Sequence, residues 1–102
     1  MLGDKPIVAF VATAKPDEAR AFYENVLGLR FVTNTPVALI FDASGTALRI
    51  AKVGSVTIAP NTVLGWEVTD IAADVAALNA RAVRFERYPG VRAGRRWRLD
   101  YA

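Results

Sequence analysis

Apolar residues in the first half of the chain form runs of strand length around one stripe with helical spacing. Residues 7–13 (IVAFVAT) are a continuous apolar run, which predicts a β-strand. Pro16 then stands where a first helical position is expected, with acidic residues directly after it, so a helix is predicted to begin there. The apolar stripe of this helix consists of Ala19, Phe22, Tyr23, Val26 and Leu27. Gly28 is placed to end it.

Three further strands are predicted in the first half, each bounded by turn-forming residues. They are residues 29–33, 37–42 and 46–53. Residues 34–36 (NTP) and 43–45 (ASG) separate them, and the second triplet predicts a hairpin turn.

The second half of the chain follows the same order of elements. After a linker at residues 54–61, residues 64–69 are predicted to form a strand, and Asp70 is predicted to cap a second helix that runs to about Ala80. The predicted buried stripe of this helix is Ile71, Val75, Leu78 and Ala82. A short strand at residues 83–86 and a turn at residues 88–90 are predicted to follow.

An internal duplication accounts for this order. Residues 8–31 and residues 63–85 share a strand, a capped helix, a turn and a strand, with one residue fewer in the second copy. Both copies end on the same dipeptide, Arg30-Phe31 and Arg84-Phe85. Because one such unit cannot bury both of its faces alone, we expect the two copies to pack together.

The composition is that of one globular domain, with 102 residues of which 53% are hydrophobic. No apolar run reaches the ~18–20 residues that a membrane-spanning helix needs. The first residues lack the features of a signal peptide, and the absence of cysteine excludes disulfides and thiol chemistry. We therefore expect a cytoplasmic protein without a membrane partner.

The net charge of +3 is concentrated at the end of the chain. Of the 13 basic and 10 acidic residues, four basic and one acidic follow Gly90, so residues 1–90 carry nine of each. A nucleic-acid-binding module instead spreads its basic residues over a folded face. We therefore expect no nucleic-acid partner.

Two segments resemble the vicinal oxygen chelate superfamily, which includes glyoxalase I, extradiol dioxygenases, bleomycin-resistance proteins and fosfomycin-resistance enzymes. Residues 19–29 (AxxFYxxxLGL) resemble its first-helix signature, and residues 66–78 (WEVTDIAADVAAL) resemble the matching segment of its second module. The resemblance implies an α+β fold in which paired βαβββ modules form a curved mixed sheet around a cup. It implies a single domain, with a first module at residues 7–53 and an incomplete second module at residues 62–102.

The superfamily's cup holds a divalent metal ion, but the ligand positions carried onto this chain hold residues that cannot bind one. The first-strand ligand falls on Val8, the second module's ligand on Val63, and the carboxylate of the fourth strand on Arg49. Neither valine nor a guanidinium offers a lone pair to a cation, and the chain has no histidine or cysteine. We therefore expect no metal, no other cofactor and no assignable catalytic residue.

The residues that face the cup are implied by the register of the resemblance, since side chains alternate along a strand. The candidate ligand-binding residues are Val8, Phe10, Arg49, Val63 and Glu67. An apolar cup with one cation and one anion is typical of a small-molecule pocket. The alternative is that Arg49 and Glu67 pair with each other, or with solvent, and bind nothing.

The other conspicuous residues receive structural interpretations. Trp66 takes the opposite register to the cup and is predicted to be a core residue. Asp42, Asp70 and Asp74 are typical of turns and helix caps. The chain has no glycine-rich phosphate loop, and its serines have no histidine partner for a catalytic triad.

After Gly90 the sequence departs from the superfamily, whose members continue with a Val/Ile-Trp-Thr segment and a final hairpin. Residues 91–102 read VRAGRRWRLDYA. One set of synonymous codons for this tail, read one nucleotide later, encodes Asp-Asp-Ala-Gly-Val-Trp-Thr, so we expect a truncated or frameshifted member. The gene sequence tests this expectation. The alternation at residues 96–101 predicts a strand with Trp97, Leu99 and Tyr101 on one face.

Three functional hypotheses follow. The favoured one is a metal-free protein that binds a small organic ligand in its cup. The second is a superfamily enzyme (a lyase, isomerase or dioxygenase) that uses Glu67 as a general base without a metal, or a metal completed by another subunit. The third is a truncated product without activity. Because a missing final strand would leave unpaired backbone groups and an exposed apolar face, we also expect a homodimer.

Overall fold

The first half of the chain folds as a βαβββ unit. In this computed structural model, which describes residues 1–83, the chain divides into two compact units, one ending at Ile58 and the other beginning at Ala59. The elements of the first unit are β1 (Val8–Thr13), α1 (Pro16–Ala21), a π-helical turn (Phe22–Val26), β2 (Arg30–Asn34), β3 (Ala38–Ala43) and β4 (Thr46–Lys52). All four predicted strands of the first half are present, and each end lies within one residue of its predicted position.

The four strands form one curved, mixed sheet in the order β1-β4-β3-β2. β1 and β4 are parallel, whereas the β4–β3 and β3–β2 pairs are antiparallel. A parallel pair needs a long crossover, and here α1 and the next two strands supply it. A mixed sheet with helices confirms the predicted α+β class.

The first helix begins and ends where the sequence predicts, although its second half has a different form. Pro16 occupies the first turn. Beyond Ala21 the helix continues as a π-helical turn, in which the Leu27 N–H donates to the Phe22 carbonyl at 2.9 Å. Gly28 then takes a φ of +77°, a conformation that glycine adopts without the steric cost that other residues incur. The prediction of a regular α-helix as far as Leu27 was therefore wrong for its last turn, while the termination at Gly28 is confirmed.

The β3–β4 hairpin closes through the turn that the sequence predicts. Ser44 and Gly45 have φ values of 51° and 93°, and Ala43 pairs with Thr46 across the loop. Positive φ at both central residues is the geometry of a type I′ turn, whose twist matches that of the adjoining strands. This two-residue connection fixes the register of β3 against β4.

The core of the first unit lies on one face of the sheet, beneath the first helix. Its most buried sheet residues are Leu39, Phe41, Leu48 and Ile50, and its helix residues are Ala19, Phe22 and Tyr23. The ring of Phe41 lies 5.9 Å from that of Tyr23 and 5.5 Å from that of Phe31. These contacts confirm the predicted helical stripe as the face that packs on the sheet.

The described part of the second unit, residues 59–83, contains one helix, α2 (Ile71–Asn79). The Asp70 side chain accepts a hydrogen bond from the Ala73 N–H at 3.1 Å, which confirms Asp70 as the predicted cap. Of the predicted buried stripe, Val75 and Leu78 are partly buried, whereas Ile71 is 42% exposed. Ala82 lies beyond the end of the helix with a φ of +65°, so its place in the stripe was wrong.

The strand predicted at residues 64–69 is absent, and that prediction was wrong. A strand persists only when neighbouring strands satisfy its backbone groups, and no strand of the described residues pairs with this segment. Trp66 was predicted to be a core residue on the basis of this strand. Without the strand, Trp66 is 46% exposed. An alternating apolar sequence was therefore not sufficient to form a strand here.

Several predictions fall outside residues 1–83. These are the strand at residues 83–86 beyond its first residue, the Arg84-Phe85 pair, the turn at residues 88–90 and the tail strand at residues 96–101. Neither helix of the described part of the chain has the length and apolar character needed to cross a bilayer.

Candidate functional site

The candidate site is the sheet face of the first unit that turns away from the core, called here the open face. On β1, β3 and β4 it carries Val8, Phe10, Ala12, Ala38, Ile40, Asp42, Ala47, Arg49 and Ala51, assigned from strand alternation and the observed register. Phe10 is 65% exposed and Val8 is 45% exposed, whereas Ala9 and Val11 on the core side of the same strand are partly buried. β1 therefore presents apolar side chains to solvent on this face.

Arg49 lies at the centre of the open face. It is directly opposite Phe10 on β1 and directly opposite Ile40 on β3. Its neighbours two residues away on β4 are Ala47 and Ala51, whose short side chains leave room around the guanidinium. Arg49 is partly buried, so its charge stands among apolar groups that weaken solvent screening.

An ion pair between Arg30 and Asp42 lies beside Arg49 on the same face. The Arg30 Nε lies 3.6 Å from a carboxylate oxygen of Asp42, and the two residues are opposite each other in the β2–β3 register. Asp42 lies two residues along β3 from Ile40, which is the direct partner of Arg49. The Asp42 carboxylate on this face is thus already paired with another cation.

Arg49 has no ion-pair partner within residues 1–58. The ion pairs found there include Lys5–Asp4, Lys15–Glu18, Arg20–Glu24 and Arg30–Asp42, and none of them involves Arg49. A guanidinium offers five donors in a planar fork. The open face therefore presents a cation able to receive an anionic group.

Three of the five candidate ligand-binding residues are brought together on the open face. Val8 and Phe10 lie on β1 and Arg49 on the adjacent β4. Val63 and Glu67 belong to the second unit, where both are exposed and neither lies in a strand. The register argument that selected Val63 and Glu67 assumed a strand in this segment, and neither residue lies in one.

The residues present do not fit the divalent metal that the superfamily resemblance implies. Val8 has no donor atom, and Arg49 places a positive charge where a carboxylate ligand would be needed. Within residues 1–83, no group of three or more His, Cys, Asp or Glu side chains is arranged to hold a metal ion.

Sequence reasoning missed part of this site. Asp42 was interpreted as a turn residue, but it lies inside β3 and forms the ion pair with Arg30. Ile40 and Ala47 were also not identified as neighbours of the candidate cation. The strand predicted at residues 37–42 already indicated part of this, because Ile40 and Asp42 are two residues apart and therefore face the same side of the strand. The pairing of β3 with β4 was needed to place them beside Arg49.

Comparison with known proteins assigns the chain to a family. The family model described as Glyoxalase/Bleomycin resistance protein/Dioxygenase superfamily matches residues 7–95. No curated protein matches the chain.

Solved structures show the same fold at low sequence identity. A glyoxalase/bleomycin resistance protein/dioxygenase from Alicyclobacillus acidocaldarius is 19% identical with a TM-score of 0.64, covering 86% of this chain and 75% of that one. A lactoylglutathione lyase from Agrobacterium tumefaciens is 17% identical with a TM-score of 0.59, covering 87% and 81%. A glyoxalase/bleomycin resistance protein from Streptomyces sp. CB03234 is 19% identical with a TM-score of 0.62, covering 83% of each chain. At these identities the similarity concerns the fold alone.

Proposed function

This chain belongs to the glyoxalase/bleomycin resistance protein/dioxygenase superfamily, and we propose that it binds a small organic molecule on the open face without a metal ion. The observation that carries the proposal is the exposure of Phe10 (65%) and Val8 (45%) beside the partly buried Arg49. Ligand sites are predominantly apolar with a few placed polar groups. The open face has that composition.

The exposed apolar surface supports binding because it is located on one face of one strand. Val8 and Phe10 project from the same side of β1, next to Ala47 and Arg49 of β4. Scattered apolar residues on a surface need no explanation, whereas a contiguous patch beside a polar anchor marks an interaction site. Covering this patch with a ligand would remove apolar area from water, which stabilises the complex by about 25 cal/mol per Å².

The metal-free part of the proposal follows from the side chains at the ligand positions. A superfamily-type metal centre requires lone-pair donors on the first and fourth strands, and Val8 and Arg49 supply none. The positive charge of Arg49 would also repel a divalent ion at close range. Binding would therefore rely on apolar contact and on the guanidinium.

A thermal-shift screen followed by NMR mapping tests the proposal. A compound that binds the folded state must raise its apparent stability, so at least one member of a panel of aromatic and anionic small molecules is expected to do so. The amide signals of Phe10 and Arg49 should then move on titration. Phe10→Ala should weaken binding, while Val37→Ala, at a residue that is 64% exposed and outside the four strands, should not. Absence of stabilisation by every compound would contradict the proposal.

The proposal extends to assembly as a homodimer. Among the strands described, β1 lies at one edge of the sheet and pairs only with β4. The opposite edge strand, β2, carries Arg30 and a register irregularity between Phe31 and Thr33, features that discourage pairing with another chain. β1 (VAFVAT) contains no charge and no proline, so a second copy can pair with it. Edge pairing occurs in the plane of the sheet and would leave the open face accessible.

A further inference from the structure

Resting on the proposed function, we infer that the ligand is an aromatic monocarboxylate whose carboxylate is bound by Arg49 and whose ring lies against Phe10. Three features of the open face support this class of ligand: its net charge, the geometry of the guanidinium and the side chains on either side of it.

Within residues 1–58, the open face carries one positive charge without a paired anion, and a ligand with one negative charge would neutralise it. Arg30 and Asp42 neutralise each other across a 3.6 Å contact. Arg49 remains, and no carboxylate of residues 1–58 forms an ion pair with it. A single bound carboxylate would neutralise the charge of Arg49, whereas a doubly charged phosphate would leave an excess negative charge beside Asp42.

The guanidinium favours a planar anion. Arginine presents parallel N–H groups that match the two oxygens of a carboxylate, and such bidentate pairs are shorter and stronger than neutral hydrogen bonds. Phe10 and Ile40 flank Arg49 in the register of the sheet. These apolar neighbours lower the local dielectric constant, which strengthens the pair.

The side chains around Arg49 favour an aromatic body attached to the carboxylate. Phe10 is 65% exposed and lies opposite Arg49 on the adjacent strand. Ala47 and Ala51 leave space above β4 for a flat group to reach that ring. Aromatic pairs contribute beyond their buried area when they stack with an offset or meet edge to face.

The test compares 2-naphthoate with its neutral analogue 2-naphthamide by NMR titration of the intact chain. The two probes share a ring system and differ in charge. Charge-assisted hydrogen bonds exceed neutral ones, so naphthoate should bind about tenfold to hundredfold more tightly than naphthamide. Inorganic phosphate alone should move the Arg49 amide signal only weakly.

Variants assign the preference to one side chain. In Arg49→Met the ratio of the two affinities should fall to about one, and in Arg49→Lys it should fall only partly, because lysine keeps the charge and loses the planar fork. Arg20→Met is the matched control: it removes one positive charge from the first helix, where Arg20 pairs with Glu24, and should leave the ratio unchanged. Dispersed amide signals in each variant would show that the fold is intact.

The outcomes separate the inference from the proposed function. Equal binding of naphthoate and naphthamide by the wild-type chain, or an unchanged ratio in Arg49→Met, would overturn the inference and leave ligand binding standing. Phosphate binding at Arg49 as tight as that of naphthoate would overturn the choice of a monocarboxylate. Amide signals of Ile40 and Asp42, which lie on β3 away from the β1 edge, that shift with protein concentration alone would show that a second copy covers the open face, which overturns the inference. Absence of any shift with either naphthalene probe, together with a negative thermal-shift screen, would overturn both proposals.

Discussion

The same substitution on the two faces of the sheet should have very different effects on stability. Phe41 and Phe10 are both strand phenylalanines of the first unit, but Phe41 is 0% exposed and Phe10 is 65% exposed. We therefore compare Phe41→Ala with Phe10→Ala. The comparison tests whether the open face is accessible to solvent in the folded protein, which both proposals require.

The expected magnitudes follow from burial. Phe41 contacts the rings of Tyr23 and Phe31 at centroid distances of 5.9 and 5.5 Å. Its truncation leaves a cavity as well as removing buried apolar area, so Phe41→Ala should lower the free energy of unfolding by about 3–5 kcal/mol. Burying a whole phenylalanine side chain contributes about 1.5–3 kcal/mol. Since roughly a third of Phe10 is covered, Phe10→Ala should cost about 0.5–1 kcal/mol.

Urea denaturation followed by circular dichroism measures both values, with the midpoint and the slope fitted separately. Phe10→Ala should shift the midpoint slightly, while Phe41→Ala should shift it several times further. Equal losses would refute the reasoning, because they would mean that Phe10 is covered in solution. Repeating Phe10→Ala at tenfold lower protein concentration identifies a second copy as the cover, since only an intermolecular contact depends on concentration.

Four further predictions concern single features. Asp70→Ala should lower the free energy of unfolding by about 1 kcal/mol, because the Ala73 N–H loses its acceptor; an unchanged urea midpoint would show that the cap contributes nothing. Gly28→Ala should cost roughly 1–2 kcal/mol, since φ is +77° there, whereas Gly54→Ala, at a residue without positive φ and with an open Cβ position, should cost less in the same assay. Light scattering should give the mass of a homodimer, and a stable monomer would count against edge pairing through β1. Metal analysis of the purified protein should find no stoichiometric transition metal; a full equivalent would refute the metal-free proposal.

Much of the first unit could be predicted because its signals are local. Pro16 and Gly28 mark the ends of the first helix through constraints on their own backbone. Ser44 and Gly45 determine a two-residue hairpin by the same means. The helical stripe at Ala19, Phe22 and Tyr23 reports burial directly, because one helical face must be apolar to pack on the sheet.

The candidate site could be predicted only in part. Val8, Phe10 and Arg49 were placed on one face by strand alternation and by the superfamily resemblance, and the structure brings them together. The same argument placed Val63 and Glu67 on a strand that the structure lacks. A strand depends on partners elsewhere in the chain, so its sequence pattern is necessary and not sufficient.

The sequence by itself determined the turns of the first unit, the helix ends, the helix cap at Asp70 and the chemical character of each side chain, including the absence of metal-donor atoms in Val8 and Arg49. Only the tertiary structure decided that Arg49 lies between Phe10 and Ile40, and that Asp42 forms an ion pair with Arg30. The physical reason is the distance along the sequence over which each kind of interaction acts. Backbone conformations and capping depend on residues a few positions apart, whereas strand order and register depend on pairings between segments tens of residues apart, which only the packed chain establishes.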